Sequence, residues 1–145
     1  MADQIISSRV TWTEKLHFRG QAEHEQVVAI DHAPPLGDGN GIKPMELLLM
    51  SLASCSAQTV ISLLQKMKQD VRGFTVKAEG ARRAEHPTVF TEIRLEYEVE
   101  GSNLNAEAVE KAIRLSEEKY CPVWAMLKPG VKISFSYSLH PRIID

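Results

Sequence analysis

Cysteine is scarce in this chain, two in 145 residues, so no disulfide framework holds it together. None is needed. A folded chain of this length hides roughly 68–70% of the surface its unfolded form exposes, and 43% hydrophobic residues supply the core. An excess of one charge sign is also missing: 17 basic against 19 acidic residues leave a net charge of −2, without the positive surplus that nucleic-acid backbones and anionic membranes attract. Neither nucleic acid nor membrane is expected as a partner. Met1 to Ser8 has no basic segment leading into a long apolar run, so no secretory signal is read and a cytoplasmic location is expected. Repeats and low-complexity tracts are absent as well, and a single domain over residues 1–145 is expected. Cys55 and Cys121 stand far apart, and His17, His24, His32, His86 and His140 are scattered without paired ligand spacing, so no metal is expected. No phosphate-binding or dinucleotide fingerprint occurs, since the glycines of Asp38-Gly39-Asn40-Gly41 follow no strand that leads into one. No nucleophile elbow marks a hydrolase, and nothing selects a base among the histidines.

What the chain does have is alternation and one long apolar run. Ile6, Val10, Trp12, Leu16 and Phe18 fall on even positions, the period-two pattern of a half-buried strand over Ile6 to Phe18. Gln26 to Ile30 reads as its hairpin partner, and the polar stretch Arg19 to Glu25 between them reads as a loop or strand end. Asp31 to Lys43 carries two prolines and three glycines, which exclude helix and central strand. Pro44 then occupies a helix N1 position, where its missing N–H costs nothing. From there to Met67 apolar residues face nearly every side. Glu46 and many serines, threonines and glutamines count against a transmembrane span, and a helix surrounded by protein is expected. Phe74–Ala78 and Val89–Val99 alternate on either side of a turn at His86-Pro87, an antiparallel hairpin with one wet face. Asn105 is placed to cap a second helix ending near Tyr120, with Val109, Ala112, Ile113 and Ser116 on one face. Cys121-Pro122 restarts a short helical turn, and Val131 to Leu139 forms a closing strand. The order predicts an α+β fold with antiparallel sheets and one central helix.

The two thiols differ in their local setting. Cys55 sits mid-helix, where a free cysteine is commonly a buried small hydrophobe and the helix dipole contributes little. Cys121 precedes an N1 proline and is an expected N-cap, where unpaired N–H groups lower a thiol pKa. Local physics alone therefore makes Cys121 the more acidic thiol.

Two stretches carry a family resemblance. Lys43-Pro44-Met45-Glu46-Leu47-Leu48-Leu49-Met50-Ser51-Leu52-Ala53-Ser54-Cys55 resembles the central-helix signature of the OsmC/Ohr family, the osmotically inducible protein C and organic hydroperoxide resistance proteins. Leu115-Ser116-Glu117-Glu118-Lys119-Tyr120-Cys121-Pro122-Val123 is similar to that family's second cysteine motif. Order and separation agree, and the resemblance runs from about Trp12 to Tyr137. It implies an intertwined homodimer in which strands of both subunits wrap two long helices. It also implies a thiol peroxidase without metal or prosthetic group, acting on organic hydroperoxides or hydrogen peroxide. By motif, Cys55 is the attacking thiolate and becomes a sulfenic acid, and Cys121 resolves it as a disulfide that an external dithiol reduces. That assignment reverses the local ranking of the thiols and needs a nearby cation, for which Arg19 is the candidate by analogy. In the hydroperoxide-reducing branches a glutamate directly follows the helix-opening proline; here Met45 stands there and the acid is Glu46. The PMELLL pattern resembles the general branch of the family, which leaves a second expectation beside the peroxidase: a non-catalytic protein binding a small apolar ligand.

Overall fold

The computed structural model describes residues 3–142, and the chain forms two compact units, Met1–Leu48 and Leu49–Asp145. The first unit holds a three-stranded antiparallel sheet in the order β1 (Arg9–Glu14), β2 (His17–Gln21), β3 (Val27–Ile30). The single strand expected over Ile6 to Phe18 is thus two strands, turned at Lys15, which takes a positive φ of 47°. Trp12 pairs with Phe18 and Thr11 with Arg19, so of the loop or strand end expected at Arg19 the chain has the strand.

Asp31 to Asn40 is irregular, as its prolines and glycines predict, and is organised around one carboxylate. Asp31, 2% exposed, accepts the backbone N–H groups of His32 (2.7 Å), Asp38 and Asn40 (3.1 Å each). Burial alone would raise its pKa, but those backbone donors outweigh the burial and hold the carboxyl below its usual value.

Helix α1 (Pro44–Lys66) begins at the proline, as expected, and spans 23 residues. By length and composition it would reach across a membrane. Its buried positions, Leu52, Ala53, Ser56, Val60 and Leu64, form essentially one stripe at steps of four, the spacing of a single helical face. Outside that stripe Ser51, Ser54, Gln58, Ser62 and Gln65 are exposed and Leu47, Leu48, Leu49 and Ile61 are half-buried. Within one chain the helix is therefore covered on one side and not on every side.

The second unit contains a sheet in the order β4 (Asp70–Arg82), β5 (Phe90–Ser102), β6 (Lys132–Pro141). β4 and β5 form the predicted antiparallel hairpin. β6 runs parallel to β5, so this sheet is mixed and not purely antiparallel; the long connection between the two strands permits the crossover that a parallel pair requires. Ile93, Leu95, Tyr97 and Val99 alternate inward along β5, and with Leu52, Val60 and Leu64 of α1 and Val109, Ala112 and Ile113 of the next helix they make up the core.

That crossover holds α2 (Ala106–Leu115), a π-helical turn (Ser116–Tyr120) and α3 (Pro122–Leu127). Asn105 caps α2 as predicted, its side chain accepting the Glu107 N–H at 2.9 Å. The α-helical register does not reach Tyr120. It gives way at Ser116 to the wider π register, which ends with the Cys121 N–H donating to the Ser116 carbonyl at 2.9 Å.

Candidate active site

Cys55 lies on α1 about 16 Å from the helix start at 1.5 Å per residue, one position before the buried Ser56, and is half-buried and reduced. Cys121 is the N-cap of α3, as its following proline predicts. Its Sγ accepts the Trp124 N–H at 3.4 Å, and only 2% of the residue is exposed.

Cys55 lies close enough to Cys121 to act on its thiol. The Cys121 thiol is pushed up to about 11, by burial above all. The Trp124 and Val123 N–H groups act in the opposite direction, and a hydrogen bond and charge from Cys55 push it further upward. The expectation that the N-cap lowers the Cys121 pKa is therefore overturned. Its cap donors are present, but desolvation of the anion outweighs them. At neutral pH Cys121 is a protonated thiol, suited to give up its proton late and not to attack first.

Beneath the thiols lies a group of hydroxyls that sequence reading did not assign to the site. Ser56 Oγ is 2.7 Å from the Tyr97 hydroxyl and 2.8 Å from Ser116 Oγ. Burial drives the Tyr97 pKa upward, and the charge of Cys121 adds to the rise. A signal for this group existed in the sequence: Ser56 and Ser116 are polar residues on otherwise apolar helix faces, and Tyr97 is on the inward phase of its strand.

The other two candidates belong to the N-terminal unit. Arg19 is exposed on β2, and among the described residues it makes no ion pair. The Glu46 carboxylate accepts the backbone N–H of Lys43 at 2.9 Å. This is the reach from N3 to N-cap seen in a capping box, and it occupies the acid at the helix start. Trp124 is 1% exposed and stacks edge-on against Phe135 in the core, while Met50 is 50% exposed and stands about 140° around the helix from Cys55 at 100° per residue. Among the described residues no group of three or more His, Cys, Asp and Glu is placed to hold a metal ion.

Residues 37–136 match the family model described as OsmC-like protein. The chain belongs to the OsmC-like family. Among its relatives is Protein YhfA of Escherichia coli (strain K12), 41% identical over 134 residues that cover 92% of this chain and 98% of that protein. A hypothetical protein from Aquifex aeolicus VF5 has a similar structure, with a TM-score of 0.86 and 29% identity over 97% of this chain and 100% of the other. The organic hydroperoxide resistance protein OsmC of Legionella pneumophila shares the fold, at a TM-score of 0.70 and 15% identity over 95% and 99% of the two chains.

Proposed function

We propose that this OsmC-like protein is a cysteine-based peroxidase, and the observation that carries the reading is the apposition of Cys55 and Cys121. In the first step the Cys55 thiolate attacks the distal oxygen of ROOH. The O–O bond breaks, the hydroxyl passes to the sulfur to give a sulfenic acid, and the alkoxide takes from solvent the proton that Cys55 gave up on ionising and leaves as ROH. In the second the Cys121 sulfur attacks that sulfenic sulfur, an S–S bond forms, and the hydroxyl departs as water with the Cys121 proton. An external dithiol then returns two electrons and two protons, yielding both thiols and its own disulfide. Cys55 attacks because it is the more accessible of the two sulfurs, and Cys121 resolves because it is adjacent, giving up its proton as the hydroxyl leaves. The name of the Legionella neighbour fits the same substrate class.

Arg19 is the cation this reading assigns to Cys55, with Glu46 as its candidate acid, although the Glu46 carboxylate is engaged by Lys43. The working form in this proposal is a homodimer in the cytoplasm, with no metal or prosthetic group, no nucleic acid and no membrane. A second copy would cover the outer side of α1, where small polar and apolar residues are interleaved in a way that suits protein better than lipid. The engagement of Glu46 favours a second reading, a non-catalytic carrier of a small apolar molecule. In the N-terminal unit a groove of about 390 Å³ lined by Val10, Val28, Ile30 and Leu47 offers it a place.

Dithiol oxidation followed with and without cumene hydroperoxide separates the two readings. The expected result is consumption of one dithiol per peroxide through many turnovers; a purified, reduced protein that consumes none with alkyl hydroperoxides or hydrogen peroxide leaves only the carrier.

A further inference from the structure

Three hydroxyls are buried beside the thiols, and the oxidation chemistry above uses none of them. Ser56, Tyr97 and Ser116 are each 1% exposed or less, and they come from three different elements: α1, β5 and the first residue of the π-helical turn. Hydrogen bonds among neutral hydroxyls add little net stability, because the unfolded chain bonds the same groups to water. A buried network that is fully satisfied does something else: it selects one arrangement of the elements it joins.

Here it joins the two segments that carry the thiols. Ser56 directly follows Cys55. Ser56 Oγ meets Ser116 Oγ at 2.8 Å, and the Ser116 carbonyl accepts the Cys121 N–H at 2.9 Å. The path from one cysteine to the other thus crosses a single peptide bond, a single hydroxyl contact and a single backbone hydrogen bond. The π register is what closes it. In an α-helical continuation the Ser116 carbonyl would go to Tyr120, and Cys121 would lie one residue, about 100°, further around the axis. Tyr97 fixes the third side, holding Ser56 Oγ at 2.7 Å from the sheet.

We infer that the Ser56–Ser116–Tyr97 hydroxyl group positions Cys121 against Cys55, so that the disulfide forms with only local movement. These are positioning residues, since none touches the peroxide. The inference rests on the reading of the two cysteines as a redox pair, but not on peroxide as the oxidant. Disulfide closure demands Cα atoms within roughly 4.4–6.8 Å and a defined torsion, and a tie of this kind restricts the resolving segment to that geometry.

The test uses glutathione in place of peroxide. Cys55 and Cys121 pass two electrons to glutathione disulfide, giving the intramolecular disulfide and two molecules of glutathione. Mass spectrometry after quenching gives the equilibrium constant for the wild type, Ser56→Ala, Ser116→Ala and the double variant. Each single change should lower the constant about tenfold. The double variant should fall no further than Ser56→Ala, which already breaks the Ser56–Ser116 contact that Ser116→Ala removes. In denaturing urea all four chains should coincide. Tyr97→Phe retains the ring and loses only the oxygen, so it carries the test if a serine variant fails to fold, and it too should fall. Variants that match the wild type, or serine effects that simply add, overturn the inference. A wild type that forms no disulfide in any glutathione mixture overturns it together with the redox pair. A wild type that forms the disulfide yet reduces no peroxide sinks the peroxidase and leaves the positioning role standing.

Discussion

Replacement of Cys55 by serine should lower peroxide-dependent dithiol oxidation by about a thousandfold or more, the scale on which loss of a nucleophile acts. The reason lies in the other thiol. With its pKa pushed up to about 11, Cys121 is ionised at pH 7 in about one molecule in ten thousand, so it cannot take over the attack. Cys121→Ser should behave differently. It retains the attacking sulfur, so a single equivalent of peroxide still oxidises Cys55, but cycling stops or passes through slower mixed disulfides with the external thiol. Rapid mixing with cumene hydroperoxide, counting dithiol equivalents oxidised per chain, distinguishes the two variants. Wild-type turnover in Cys55→Ser would remove thiol chemistry from this position.

Trp124→Ala should cost about 3–5 kcal/mol of unfolding free energy, the range for deleting a large buried aromatic side chain. Trp124 is 1% exposed. Its ring lies edge-on to Phe135 at 6.4 Å between centroids, and Phe135 in turn meets Tyr97 at 6.3 Å, so the cavity would open in the sheet-facing core beneath the Cys121 turn. Against a typical domain stability of about 5–15 kcal/mol, that loss leaves a marginal fold. Denaturant titration of the wild type, Trp124→Ala and Trp124→Phe checks it, with the phenylalanine recovering most of the loss by filling much of the space. A change below about 1 kcal/mol in the alanine variant would show that the tryptophan is not packed as described.

Much of the architecture was legible because the signals were local and mutually consistent. Pro44 marked the start of α1, the alternation on either side of His86-Pro87 marked the β4–β5 hairpin, and the Cys121-Pro122 pair marked a capped helix start. The pattern over Ile6 to Phe18 reads as one strand, and is two, for a physical reason. A two-residue turn at Lys15-Leu16 keeps cross-strand partners such as Trp12 and Phe18 on the same parity, so the period-two pattern runs through the reversal unchanged. Nothing local separates the π register from the α-helix before it, since Ser116 continues the apolar face of Val109, Ala112 and Ile113.

The site was half legible. Two cysteine motifs single out Cys55 and Cys121 as candidates, but the acidity of Cys121 depends on burial, which is a property of the packed chain. Counting cap donors at Cys121 could not anticipate how much desolvation opposes them. The same is true of Ser56, Tyr97 and Ser116: each is an ordinary residue in its own segment, and only the fold brings the three oxygens together. Glu46 shows the converse. Its distance from the helix start suffices to explain its bond to Lys43, an N-terminal capping role that needs no tertiary partner.

The pairing of the thiols is the centre of this account, and one experiment addresses it without reference to rate. Fully reduced protein is treated with one equivalent of cumene hydroperoxide, the remaining thiols are alkylated, and the digest is mapped by mass spectrometry. The account predicts one intramolecular Cys55–Cys121 disulfide per chain, with no sulfinic acid. A Cys55 sulfenic acid that persists beside a reduced Cys121, or that proceeds to the sulfinic acid at stoichiometric peroxide, would contradict it.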